Sequence, residues 1–165
     1  MYEKYDKLIS NLDDNSIETV ATIVGRVHRM INNDHINSDL YTSEEIWKLK
    51  ELREKYYPLI TQLSGDIYCY KSHYLPINHF EASVFYYKHG IDLLTNKGYV
   101  ENKDILDVGG FVGDSVLVLE ELKPRRIYTF EGEPNNYELI KKTIELNHLS
   151  NVIPENVAIG EKKAI

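Results

Sequence analysis

Apolar residues recur at helical spacing twice in the first sixty positions. In SIETVATIVGRVHRMIN, residues 16–32, the residues Ile17, Val20, Val24, Val27 and Ile31 share one helical face, and Asn15 with Glu18 has the spacing of a capping box at its start. Thr42 with Glu45 repeats that signal ahead of SEEIWKLKELREKYYPLITQLSG, where Ile46, Leu49, Leu52 and Tyr56 form a stripe. Pro58 is expected to interrupt this second helix and Gly65 to end it. Neither helix carries a catalytic constellation, so both read as packing elements. An aromatic-rich joint follows over 66–100, with a short strand expected at Ile67–Tyr70 and a helix at Glu81–His89.

From Asp104 the pattern changes. DILDV reads as a short buried strand, DSVLVLEEL as a helix, RRIYTFE as a second strand, NNYELIKKTIELN as a second helix, and NVIPENVAI as a third strand broken or bent at Pro154. Strand and helix in alternation predict a parallel sheet with right-handed crossovers. The expected fold is α/β, a Rossmann-like parallel sheet preceded by a helical N-terminal region, divided into 1–75 and 76–165.

The first strand ends on an acid and runs into three glycines, DVGGFVGDS, residues 107–115. In an open parallel sheet ligands sit beyond the carboxyl ends of the strands, where this turn falls. Gly109 and Gly110 are expected to let a ligand approach the main chain, Gly113 to let the following helix pack closely, and Asp114 or Ser115 to cap that helix. The dinucleotide fingerprint G-x-G-x-x-G fails in both registers, because Phe111 or Val112 stands at its middle glycine, and no Gly-Lys-Ser/Thr follows the turn. A carboxylate at the strand tip, Asp107, would repel a pyrophosphate and suits a ligand with a cationic amino group. Glu131 ends the second strand eighteen residues after Gly113, close to the ~20-residue spacing at which an acid meets ribose hydroxyls. A nucleoside with an amino-acid tail satisfies both acids, which points to S-adenosylmethionine. Glu131 itself is expected to be a hydrated strand-tip acid whose removal hardly affects stability.

Nineteen basic against twenty-six acidic residues give a net charge of −7. No Lys/Arg run is long enough to follow a phosphate backbone, which argues for no nucleic acid partner. One cysteine, Cys69, excludes an internal disulfide, and the charged start MYEKYDKLIS lacks a signal-peptide core. With no membrane span in the sequence, the expected location is cytoplasmic. His73 and His79 invite a metal reading, but their spacing matches no usual ligand set, so no metal is expected.

The ordered set formed by DILDVGGFVGDS and IYTFEGEPNNYELIKKTIELNHLSNV resembles the FkbM family of S-adenosylmethionine-dependent methyltransferases, over roughly residues 76–165. The resemblance implies part of a class I methyltransferase fold that uses S-adenosylmethionine. Asp107, Gly109, Gly110 and Gly113 would line the methionine end, Glu131 the ribose, and the backbone near Val157 the adenine, with Phe111, Asp114 and Ser115 completing the cofactor set. It also implies O-methylation of a saccharide or natural-product-like small-molecule acceptor. The sequence departs from the family at Gly132, where proline is common, and it reaches GEKKAI before the family's later strands. No general base is assigned; His73, His79 and Tyr86 are the conceivable ones. The rival reading is a non-catalytic half-domain that binds a ligand or a partner, and a nicotinamide oxidoreductase is disfavoured by Asp107 and Phe111. The first strand is expected to have an exposed edge, so that the chain alone either self-associates through it or is only marginally stable, and in either case lacks methyltransferase turnover.

Overall fold

The computed structural model describes residues 2–32 and 41–160, and the chain forms two compact units, 1–50 and 51–165. The first unit contains α1 (Tyr2–Ile9), α2 (Asp14–Ile31) and most of α3 (Ser43–Glu51). Asp13, two residues upstream of the expected cap, starts α2: its Oδ1 accepts the Ser16 amide at 3.0 Å and its Oδ2 the Ser16 hydroxyl at 2.8 Å. Asn15 is left inside the first turn, where its carbonyl accepts the Thr19 hydroxyl. The Thr42–Glu45 box forms as expected, with reciprocal bonds of 2.7 and 3.2 Å. Glu45 also takes both guanidinium nitrogens of Arg26, at 2.9 and 2.8 Å, and these contacts hold its carboxyl down at about 2. No residue of α2 is buried, and Ile46 and Leu49 are exposed. No cover for α2, Ile46 or Leu49 is seen among the described residues, whereas Leu52 and Tyr56, the rest of the second stripe, are buried in the core of the second unit.

The second unit opens with irregular turns at Leu52–Tyr56 and Tyr57–Leu59, the latter holding Pro58 in its first turn. Thr61–Ser64, read from the sequence as helix, is strand β1, which pairs antiparallel with β2 (Ile67–Tyr70), itself paired with β3 (His73–Leu75). Pro58 ends the helical run, and Gly65, at φ +54°, then serves the hairpin turn instead of a helix end. Residues 51–75, grouped with the helices by their sequence, thus lie in the second unit. The expected helix at Glu81–His89 is shorter, α4 (Ala82–Phe85), because Lys88, His89 and Gly90 all take positive φ. Around these elements lies an aromatic core. Tyr56 is fully buried, donates its hydroxyl to the Phe80 carbonyl at 3.0 Å, and meets the rings of Tyr70 and Tyr86 edge-on. Leu75, Phe80, Val84, Phe85, Leu117 and Val118 close the cluster.

The α/β layer follows the expected alternation: β4 (Asp104–Val108), α5 (Asp114–Leu119), β5 (Arg126–Phe130), α6 (Pro134–Leu146) and β6 (Val152–Glu155), with all strands parallel in the order β4-β5-β6. Val116, Ile127 and Val152 form its inner core, joined by Ile105 and Ile144. Two expectations change. Strand β6 runs through Pro154, which an edge strand tolerates because an amide on its outer side has no ladder partner to lose. Strand β4 is not buried throughout: Leu106 and Val108 are 68% and 63% exposed, since alternate side chains face opposite sides and the described residues cover one of them. The terminal residues of GEKKAI from 161 onward lie outside the described residues. Among the described residues no helix is long and apolar enough to cross a membrane.

Asn147 joins the two sheets' neighbourhoods. At the end of α6 its Oδ1 accepts the Tyr74 amide at 2.9 Å, while its Nδ2 donates to the carbonyls of Tyr74 and Thr143, both at 2.7 Å. The side chain thus completes the outer edge of β3 as a neighbouring strand would. Asn147→Ala should destabilise the fold by ~2 kcal/mol, the cost of leaving part-buried backbone groups unpaired, measured by urea unfolding; Asn147→Asp, which loses both donated bonds and sets a carboxylate oxygen against the Tyr74 and Thr143 carbonyls, should lose at least as much.

Candidate functional site

The turn after β4 is fixed from below. In the β4–β5 register Asp107 lies opposite Thr129, and Asp107 Oδ2 accepts the Thr129 hydroxyl at 2.9 Å. Gly110 is buried directly over that hydroxyl: a Cβ there would sit 2.1 Å from Thr129 Oγ1 and 3.0 Å from Ile140 Cδ1. Gly113, at φ +78°, rests on Thr143, whose hydroxyl donates to the Val112 carbonyl at 2.7 Å. The close helix packing expected of Gly113 is therefore packing onto α6, the helix after next.

The main-chain amides of the turn are already engaged. Gly109 and Gly110 both donate to the Phe130 carbonyl, at 2.9 and 3.0 Å, and Gly113 donates to the Gly110 carbonyl at 2.7 Å. Phe111, held at φ +46°, donates to Glu131 Oε2 at 2.9 Å. A phosphate needs such amides free. Gly109 still leaves a bare approach, since a Cβ there would meet nothing within 4 Å.

Glu131 is not the freely hydrated acid read from the sequence. Its Oε1 accepts the Glu133 amide at 2.8 Å as Oε2 takes Phe111, so the carboxylate staples the glycine turn to the loop after β5. An ionised carboxylate has about four acceptor sites, so room for a diol remains. The same loop reaches Val157: Asn156 Nδ2 donates to the Glu131 carbonyl at 2.8 Å, and Gly132 packs on Ala158, where a Cβ would be 2.9 Å from the alanine methyl. Val157 is itself exposed and its amide bonds to Glu155.

Asp114 and Ser115 do not cap α5; the cap position is Gly113, without a side-chain bond. Ser115 Oγ instead lies 3.3 Å from His89 Nε2. His79, from the segment before α4, is brought against the turn: its ring meets Phe111 edge-on at 4.7 Å, and its Nε2 is 3.8 Å from Asp114 Oδ2 and 3.9 Å from Glu81 Oε1. It also lines, with Asn78, Glu81 and Tyr57, a cavity of about 570 Å³. His73 packs on Phe85, and burial lowers its pKa. Tyr86 belongs to the aromatic core beside Glu51. Of these three, His79 alone has a ring or ion-pair contact with the turn, a long-range meeting that no local spacing reveals. Burial raises both Asp107 and Asp114, opposed by the Thr129 hydroxyl at the first and the Ser115 amide at the second. Among the described residues no group of three or more His, Cys, Asp or Glu could hold a metal ion.

No protein-family model matches the chain, and no curated protein does. Solved structures do. TYW2 of M. jannaschii in complex with AdoMet is 21% identical, covering 57% of this chain and 45% of that one, with a TM-score of 0.42. The complex of aTrm5 with tRNALeu is 22% identical over 64% and 30% of the two chains, TM-score 0.46. The M. jannaschii tRNA m1G37 methyltransferase is 20% identical over 60% and 29%, TM-score 0.41. The chain spans less than half the length of each of these. They correct one expectation: a tRNA is present in one of these structures, so the whole-chain balance of charge does not exclude nucleic acid as a partner. A net charge sums over all faces and says nothing of a single one.

Gly110→Ala should be destabilised by about 1–3 kcal/mol, the usual cost of overpacking a closed site, read as a lower urea midpoint. Gly110→Ala combined with Thr129→Ser should recover little, because the Oγ that blocks the new methyl remains.

Proposed function

We propose that the chain binds S-adenosylmethionine at the glycine turn and is a methyltransferase or the cofactor-binding part of one. One observation carries this reading: two carboxylates, Asp107 and Asp114, stand at the turn, and the amides of Gly109, Gly110, Phe111 and Gly113 are already bonded within the fold. That surface suits a cationic tail and is a poor cradle for pyrophosphate. The residues present fit the cofactor in two further respects, the bare Gly109 and the unfilled acceptor sites of the Glu131 carboxylate. In this arrangement Asp107, Gly109, Gly110, Phe111, Gly113, Asp114 and Ser115 lie along the amino-acid end, Glu131 takes the ribose hydroxyls, and the backbone near Val157 borders the base. The cofactor-binding portion is residues 76–165, as in the division drawn from the sequence. When bound, S-adenosylmethionine supplies an electrophilic methyl group on a sulfonium. The AdoMet complex of the M. jannaschii TYW2 agrees with this choice of ligand.

The glycine turn and the Phe130–Pro134 run favour an FkbM-type enzyme acting on a hydroxyl oxygen, and the cavity beside His79 is the place for an acceptor. Because similar structures include tRNA methyltransferases, saccharide and tRNA acceptors belong in the same assay.

Calorimetry on the full chain with S-adenosylhomocysteine and with NADH separates the ligand classes: the first should bind and the second should not. Binding of NADH alone would overturn the proposal. Glu131→Ala should weaken S-adenosylhomocysteine by ~1.5–3 kcal/mol, the worth of hydrogen bonds to a charged group, and should also lower the melting temperature, because the Phe111 and Glu133 amides lose their acceptor.

A further inference from the structure

Asp114 is a buried acid whose hydrogen bonds, among the described residues, come from the start of its own helix alone. It is 6% exposed, and its carboxylate is met by the amide of the next residue, Ser115, which donates to Oδ1 at 3.0 Å, and by its own amide. No described donor hydrogen-bonds Oδ2. The nearest basic group is His79 Nε2 at 3.8 Å, within ion-pair range and beyond hydrogen-bond reach. Burial raises the carboxyl's pKa from its ordinary value, and the Ser115 amide, His79, its own amide and His89 offset this only in part. A buried, incompletely paired carboxylate is costly in an empty site and becomes favourable when a cation completes it. Asp107 is placed differently. Its Oδ2 is tied to the Thr129 hydroxyl across the strand register, which makes it a support for Gly110 and the turn.

We infer that Asp114, through Oδ2, is the receptor for the α-ammonium group of the ligand's amino-acid tail, and that Asp107 serves the turn. This deepens the proposed cofactor reading and rests on it. It reverses the order of importance of the two acids drawn from the sequence, where Asp107 stood first.

The test compares S-adenosylhomocysteine, which carries the amino-acid tail, with 5′-methylthioadenosine, which lacks it, by calorimetry on the full chain. Asp114→Asn keeps the Oδ1 bond to Ser115 and removes the charge. It should weaken S-adenosylhomocysteine at least tenfold, leave 5′-methylthioadenosine within twofold, and melt no lower than the wild type without ligand. Asp107→Asn should lower the melting temperature and weaken both ligands alike. Should Asp114→Asn fail to fold, the wild type with the desamino analogue of S-adenosylhomocysteine gives the ammonium contribution directly: a loss of at least tenfold is expected, and a loss under twofold overturns the inference. An Asp114→Asn affinity for S-adenosylhomocysteine within twofold of wild type overturns it as well, as does an equal loss for both ligands or a tail-selective loss at Asp107→Asn. In all these results the wild type still binds S-adenosylhomocysteine, so the cofactor reading stands. A wild type that binds neither nucleoside removes that reading and the inference together.

Discussion

The site depends on the missing side chain at Gly110. The β4–β5 ladder puts Thr129 opposite Asp107, and the Thr129 hydroxyl rises to bond that acid. The chain can then cross above the hydroxyl only where it has no Cβ, because one would stand 2.1 Å away. Once Gly110 is seated there, Gly113 comes down on Thr143, the Val112 carbonyl meets the Thr143 hydroxyl, and α6 becomes the floor of the turn. Two threonines from different elements, both fully buried, set the height and the tilt of the glycine loop. A rigid floor of this kind holds its ligand-facing groups in place before any ligand arrives, which reduces the ordering cost of binding.

That seating has an electrostatic consequence. By folding down, the loop turns its amides toward the Phe130 carbonyl, the Gly110 carbonyl and Glu131. A phosphate-binding loop does the reverse, keeping its amides outward. With its donors used internally, this turn presents bare Gly109 and two carboxylates whose pKa values burial raises. The preference for a positively charged ligand tail is thus a product of backbone geometry as much as of the acids themselves.

Much of this was legible in the sequence from Asp104 onward, because short apolar runs, a glycine turn and an amphipathic helix each report on local structure. The capping box at Thr42 was legible for the same reason. What escaped was set by distant residues. TQLS has no strand alternation of its own and becomes β1 through pairing with Tyr68 and Cys69. The stripe along α2 states that an apolar face exists, with no information about what covers it. His79 reaches Phe111 and Asp114 across more than thirty residues of chain. Asp114 reads both as a helix cap, the commonest use of an acid at that position, and as part of the cofactor set, and its burial is what the local sequence could not report.

Glu131 shows why structural and binding roles need not compete. Its two oxygens already hold the amides of Phe111 and Glu133, so the carboxylate is oriented and part-buried before a ligand comes. Ribose hydroxyls would add donors to acceptor sites still open, without displacing either amide. The same bonds tie the loop after β5 to the turn after β4, and Asn156 ties the loop after β6 to both. The three strand ends that would meet a nucleoside are therefore joined by hydrogen bonds through one residue. A change at Glu131 must then be felt at the amino-acid end through Phe111 as well as at the ribose, so the two halves of the site are coupled by a contact that belongs to the fold.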